Sequence, residues 1–209
     1  MPVSLEILLP FFTASLLLAL APGPDNIFVL TQSALHGRIA GLMVMAGLCT
    51  GLIGHSAAVA FGAAVIFQTS ATAFSLLKCI GGAYLIWLAI QAFRASGTDV
   101  PIHQENRPGL FRLYCRGIIM NVTNPKVAIF FLAFLPQFVS PAGGSVSSQI
   151  LVLGLLFILA TLLVFGSIAL TAGTLGQWMN RSERIQKTLN RLAGTVFIGL
   201  ALMLVRSER

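Results

Sequence analysis

Apolar residues dominate the chain in long blocks rather than at the two-residue or 3.6-residue periods of half-buried elements. The stretches Ile39 to Phe67 and Ile150 to Gly176 contain no Asp, Glu, Lys or Arg. Each exceeds the roughly 18 apolar residues that mark a membrane-spanning helix. Six apolar segments are predicted, over residues 5–35, 39–67, 71–93, 113–139, 147–175 and 192–205. A polar connection with Arg94, Asp99, Pro101, His103, Glu105, Arg107 and Pro108 parts the third from the fourth. Ser140-Pro141-Ala142-Gly143-Gly144 is a turn signal before the fifth, and Gln177 to Asn190 reads as a basic loop before the sixth. The fold class expected is an all-α integral membrane protein of six transmembrane helices in one domain, residues 1–209.

Composition sharpens this reading. Of 209 residues 56% are hydrophobic and 9% charged, against roughly 45–50% and 25% in soluble domains. The net charge of +7 does not indicate nucleic-acid binding, because most cations flank apolar spans, where they set orientation instead. Arg38, Arg94, Arg107, Arg112, Arg116, Arg181, Arg184, Lys187 and Arg191 lie on one side, and only Lys78, Arg206 and Arg209 on the other. The positive-inside rule then puts both termini in the periplasm. Ala19-Leu20-Ala21 resembles a cleavage site, yet no Lys or Arg precedes it, so the first segment is expected to be retained. Cys49, Cys79 and Cys115 have neither disulfide nor zinc spacing and read as small apolar residues.

The two halves share features. Residues 77–89 and 189–201 carry Leu77/Leu189, Gly82/Gly194, Ile86/Ile198, Leu88/Leu200 and Ala89/Ala201 in register. Three helices per half would give the second half the opposite orientation, a 3+3 inverted repeat of the kind many secondary transporters use. The first and fourth segments are also interrupted at corresponding points, by Pro22-Gly23-Pro24-Asp25-Asn26 and by Asn121-Val122-Thr123-Asn124-Pro125-Lys126. Proline lacks the N–H and clashes with the preceding turn, so both helices should break there. Non-helical backbone survives inside a bilayer only where it is buried in protein or lines a wet cavity.

Asp25 and Lys126 each directly follow a proline in their own half, with opposite signs. A lone charge at mid-bilayer costs about 2.5–3.5 kcal/mol on insertion scales, so such charges are rarely idle. The pair is expected to face one cavity and interact there as a substrate and proton site, with Asn26, Asn121 and Asn124 beside it. The blander reading is that Asp25 caps a helix and Lys126 snorkels to an interface. His55, in the glycine-rich second segment, is either a proton relay or a neutral partner of a neighbouring helix. Gly47 with Gly51, and Ala58 with Gly62, have the spacing of close helix packing. Phe130-Phe131 and Tyr84 to Trp87 read as core or lipid contacts.

Pro22-Gly23-Pro24-Asp25-Asn26, Gly37-Arg38-Ile39-Ala40-Gly41 with Gly47, Gly82-Ala83-Tyr84-Leu85, Asn124-Pro125-Lys126, Phe130-Phe131-Leu132 and Leu135-Pro136-Gln137-Phe138 together resemble the LysE/RhtB superfamily of amino-acid exporters. The resemblance covers nearly the whole chain. It implies a multi-pass secondary transporter of the bacterial inner (plasma) membrane, exporting amino acids or derivatives such as homoserine or its lactone by proton antiport. Partners are then the solute, protons and the lipid bilayer; a homo-oligomer is compatible with the chain, and no cofactor is expected. The competing classes are a non-transporting assembly or sensor protein and an intramembrane enzyme. An enzyme is not expected: His36, His55 and His103 lack HExxH spacing and no GxSxG elbow occurs.

Overall fold

The computed structural model describes residues 4–69, 71–95, 108–140, 143–181 and 183–206, and within them the fold is all helical, with no strand. The polar residues Asp99, Pro101, His103, Glu105 and Arg107, with Pro141 and Arg209, lie outside the described residues. The helices are α1 (Leu5–Leu20), α2 (Pro24–His36), α3 (Arg38–Thr69), α4 (Ala71–Arg94), α5 (Leu110–Thr123), α6 (Pro125–Ile129), α7 (Val146–Arg181) and α8 (Glu183–Arg206). After α6 the chain runs on through a π-helical turn, Phe130–Phe134, into a 3-10 turn, Leu135–Phe138. Pro136 has no N–H to return to the preceding turn, a local reason for regular α geometry to lapse there.

Among the described residues, three stretches are long and apolar enough to cross a membrane: Arg38–Gly62, Val146–Ala172 and Lys187–Arg206. Two further pairs pass the same test as broken spans, Leu5–Leu20 with Pro24–His36 bent by 60° and Leu110–Thr123 with Pro125–Phe138 bent by 51°. Both breaks fall at the proline clusters. The stretch read as a basic loop, Gln177 to Asn190, is instead largely helical: α7 continues to Arg181 and α8 begins at Glu183. It contains neither glycine nor proline, so nothing local stops a helix once its neighbours hold it. Between α2 and α3, Gly37 adopts φ +90°, a left-handed conformation that a side chain would strain.

Burial is inverted relative to a soluble protein. Leu155, Leu170, Ile80 and Leu202 stand exposed along the helices while Asp25 and Lys126 are buried. Such apolar exposure fits a lipid-facing surface. The interior holds an aromatic cluster of Phe11, Phe130, Phe131, Phe134, Phe138 and Phe157, with Phe11 meeting the Phe138 ring edge-on at 5.1 Å between centroids. Phe130 and Phe131 are core contacts, and Trp87 lies on the outer face of α4.

Small residues set the closest approaches. A methyl group added at Gly117 would strike the Val44 carbonyl, and one at Gly47 the Tyr114 carbonyl. The backbones of α3 and α5 therefore touch, and they run parallel, because Val44 and Gly47 meet Gly117 while Gly51 meets Asn121 further along. Gly62, expected to pair with Ala58 at an interface, has open space where a Cβ would lie. Helices α3 and α7 run antiparallel: Ser147 Oγ donates to Ala60 O at 2.8 Å, and Gly154 abuts Ser56. The segments matched by sequence, on α4 and α8, pack against each other. They too are antiparallel, as Gly82 lies against Val205 and Gly194 against Phe93.

Candidate functional site

When α1 stops at the Pro22-Gly23-Pro24 break, its last carbonyls lose their intrahelical donors and need others. Ala21 N takes the Leu17 carbonyl at 3.0 Å. Asn26 Nδ2 donates to Ala19 O at 2.7 Å. Lys126 Nζ donates to Leu18 O at 3.2 Å and to Ala21 O at 3.1 Å. A buried cation thus sits on the negative end of a helix, where dipole and charge attract. Gly23 leaves it room, since a Cβ there would lie 3.3 Å from Lys126 Nζ.

The second break is organised around Asn124. Its Oδ1 caps α6 by accepting from Lys126 N at 3.0 Å. Its Nδ2 donates to Asp25 Oδ2 at 2.8 Å, and Asp25 occupies the first turn of α2, where a carboxylate complements the helix dipole. One carboxamide therefore ties the start of α2 to the junction of α5 and α6. At the end of α5, the Asn121 carbonyl accepts from Asn124 N at 3.1 Å and lies 3.3 Å from His55 Nε2. The His55 ring also lies 5.6 Å from that of Phe131.

Asp25, Asn121 and Lys126 line one cavity, walled by Leu48, Phe157 and Phe165. Its volume is about 20 Å³, enough for about one water molecule and far too small for an amino acid. The conformation is therefore closed around the charges. Asp25 and Lys126 share this cavity without sharing a direct ion pair: the ammonium engages carbonyls of α1 and the carboxylate engages Asn124. Three residues that line the cavity hold a buried oxygen without a hydrogen-bond partner: Asp25 Oδ1, Asn121 Oδ1 and Thr161 Oγ1. Unpaired buried polar atoms are expensive and call for an explanation. Asn26 and Asn124 act as ties beside the cavity, and His55 sits behind Asn121 rather than among the lining residues.

Sequence reading did not single out Thr161, Phe157 or Phe165, all on α7. One signal was available for the first: Thr161 is the lone hydroxyl or amide side chain between Gln149 and Ser167. The two phenylalanines are indistinguishable in the sequence from lipid-facing neighbours.

The chain is similar to known membrane and efflux proteins. A family model described as LysE type translocator matches residues 16–208. A homoserine/homoserine lactone efflux protein of Salmonella typhimurium is 35% identical over 201 residues, covering 95% of each chain. An uncharacterized membrane protein of Vibrio cholerae is 31% identical over 210 residues, 99% of this chain and all of that one. A leucine efflux protein of an Enterobacter species is 23% identical over 199 residues, 93% of this chain and 92% of the relative. No solved structure matches.

Proposed function

Because this chain belongs to the LysE family of translocators, we propose that it exports an amino acid or close derivative across the bacterial inner membrane in exchange for protons. The observation that carries this reading is the convergence of Asp25 and Lys126, one from each helix break, on a single closed cavity. A zwitterionic solute needs an acceptor for its amine and a donor for its carboxylate. Asp25 Oδ1 is an unpartnered acceptor. Lys126 has three N–H donors, of which the Leu18 and Ala21 carbonyls use two, leaving one for the carboxylate. Asp25 is also the proposed proton carrier, binding a proton or the solute amine at the same oxygen in alternation. His55 is the candidate relay behind Asn121.

The architecture proposed is six spans in two inverted halves of three. Three correspondences support it: the bends at the two proline clusters, the antiparallel packing of α3 on α7, and that of α4 on α8. Contacts between halves also correspond, with α3 packing on α5 and α7 on α1 and α2. Rocking one half against the other would expose the cavity to each side in turn. The distribution of cations supports periplasmic termini.

The test is to load cells or vesicles with labelled amino acids and compare efflux with and without the protein. Expression should speed efflux of at least one, and an uncoupler should slow it. Efflux indifferent to the uncoupler would remove proton antiport and leave facilitated diffusion; no efflux across the panel would remove the exporter reading.

A further inference from the structure

Two arginines stand on the outer face of the bundle, away from the helix breaks. Arg112 and Arg116 lie one turn apart on α5, and Ile119 follows a turn later on the same side. That side is turned from α3, which α5 meets through Gly117 and Asn121. Both arginines are exposed. So are their apolar neighbours Leu110, Phe111, Ile119 and Val122, Phe111 by 76% and Ile119 by 62%. Apolar exposure thus flanks the two charges on both sides along the helix, which puts them within the surface that fits lipid rather than beyond its edge.

The protein supplies neither charge with a counter-ion among the described residues. Arg112 has no hydrogen bond or ion pair there, and Arg116 places its guanidinium carbon 4.8 Å from the centroid of the Phe28 ring on α2. The described acidic side chains lie elsewhere. Asp25 is buried at the breaks and bonded to Asn124, and Glu6 opens α1, whose Phe11 packs on Phe138 at the far end of the fourth segment. A guanidinium carries five N–H donors in a planar fork that matches phosphate oxygens in pairs. Contact with Phe28 covers one face of Arg116 and leaves the donors at its edge available. At the boundary of a bilayer the anion within reach of a long side chain is a lipid phosphate.

We propose that Arg112 and Arg116 form a binding site for the headgroup of an anionic phospholipid, holding its phosphate between two guanidinium groups while its acyl chains lie along Phe111, Ile119 and Val122. A zwitterionic lipid fits less well, because its own ammonium is repelled by the two arginines while an anionic headgroup keeps its full charge for them. The site does not depend on the exporter reading. It requires only that the chain lie in a bilayer. Phe28 is three residues along α2 from Asp25, so a lipid bound to Arg116 braces α2 against α5 next to the first helix break.

The test titrates phosphatidylglycerol or phosphatidylcholine into the purified full chain in a neutral detergent, reading bound lipid by native mass spectrometry and the melting temperature alongside. Wild-type protein should bind phosphatidylglycerol more tightly and melt higher with it. Arg112→Gln and Arg116→Gln should each weaken phosphatidylglycerol binding about fivefold, and the double variant about thirtyfold, with phosphatidylcholine binding unchanged. Arg112→Gln removes a side chain without a partner among the described residues, so it tests the site even if loss of the Phe28 contact unfolds Arg116→Gln. Arg206→Gln removes an exposed charge on α8 and should keep the preference. Equal binding of the two lipids by wild type, an unchanged preference in Arg112→Gln, or an equal loss in Arg206→Gln overturns the site. Inorganic phosphate that raised the melting temperature as far as phosphatidylglycerol does would assign the arginines to a soluble anion and overturn the lipid reading.

Discussion

Asn124 Nδ2 donates to Asp25 Oδ2 at 2.8 Å, linking residues 99 positions apart. The bond ties the two halves together at the level of the helix breaks. A second tie runs the same way, from Lys126 Nζ to the carbonyl end of α1. The second break supplies the donors and the first the acceptors. A solute bound by its amine and carboxylate would engage the atoms that these ties leave free, Asp25 Oδ1 and the third Lys126 N–H.

Losing either charge should therefore harm transport more than insertion. Asp25→Asn and Lys126→Met are each expected to reduce efflux to background while the protein still reaches the membrane, and the double variant should insert at least as well as either single one. Lys126→Met should be the less thermostable single variant. It leaves the Leu18 and Ala21 carbonyls without their donor, at about 1–3 kcal/mol for each unsatisfied group. Efflux assays alongside quantitation of membrane protein check this. Wild-type efflux from both single variants would refute a shared site, and loss of membrane protein from both would make the pair structural.

Glycine substitutions should separate close packing from chance spacing. Gly117→Ala places a methyl against the Val44 carbonyl, and backbone cannot move aside as a flexible side chain can. The expected cost is about 1–3 kcal/mol, read as a lower melting temperature in detergent. Gly62→Ala meets open space and should be neutral, or stabilising by up to roughly 1 kcal/mol through helix propensity. Equal melting temperatures would contradict the contact between α3 and α5.

Topology can be mapped by cysteine labelling in a background where Cys49, Cys79 and Cys115, all free thiols, are replaced. A cysteine near Glu105 should be protected from a membrane-impermeant reagent in intact cells, and one at Ser4 should be labelled. The cation asymmetry motivates this. Labelling near Glu105 from the periplasm would reverse the orientation.

The sequence by itself determined the membrane class, the family and the positions of the two breaks. Those properties follow from local chemistry: apolar runs without charges must leave water, and proline removes a donor wherever it stands. The helical stretch across Gln177 to Asn190 was missed because polarity suggests a loop while the absence of glycine and proline permits a helix, and neighbouring helices decide between them. What the charges touch also needed the tertiary structure. Asp25 and Lys126 read as a facing pair, yet each is held chiefly by uncharged groups of the other half, since freed carbonyls and amides at the breaks are acceptors and donors that no residue spacing reveals. Thr161 was hidden for a similar reason: which mid-helix side chains line a cavity depends on how the neighbouring helices pack around them.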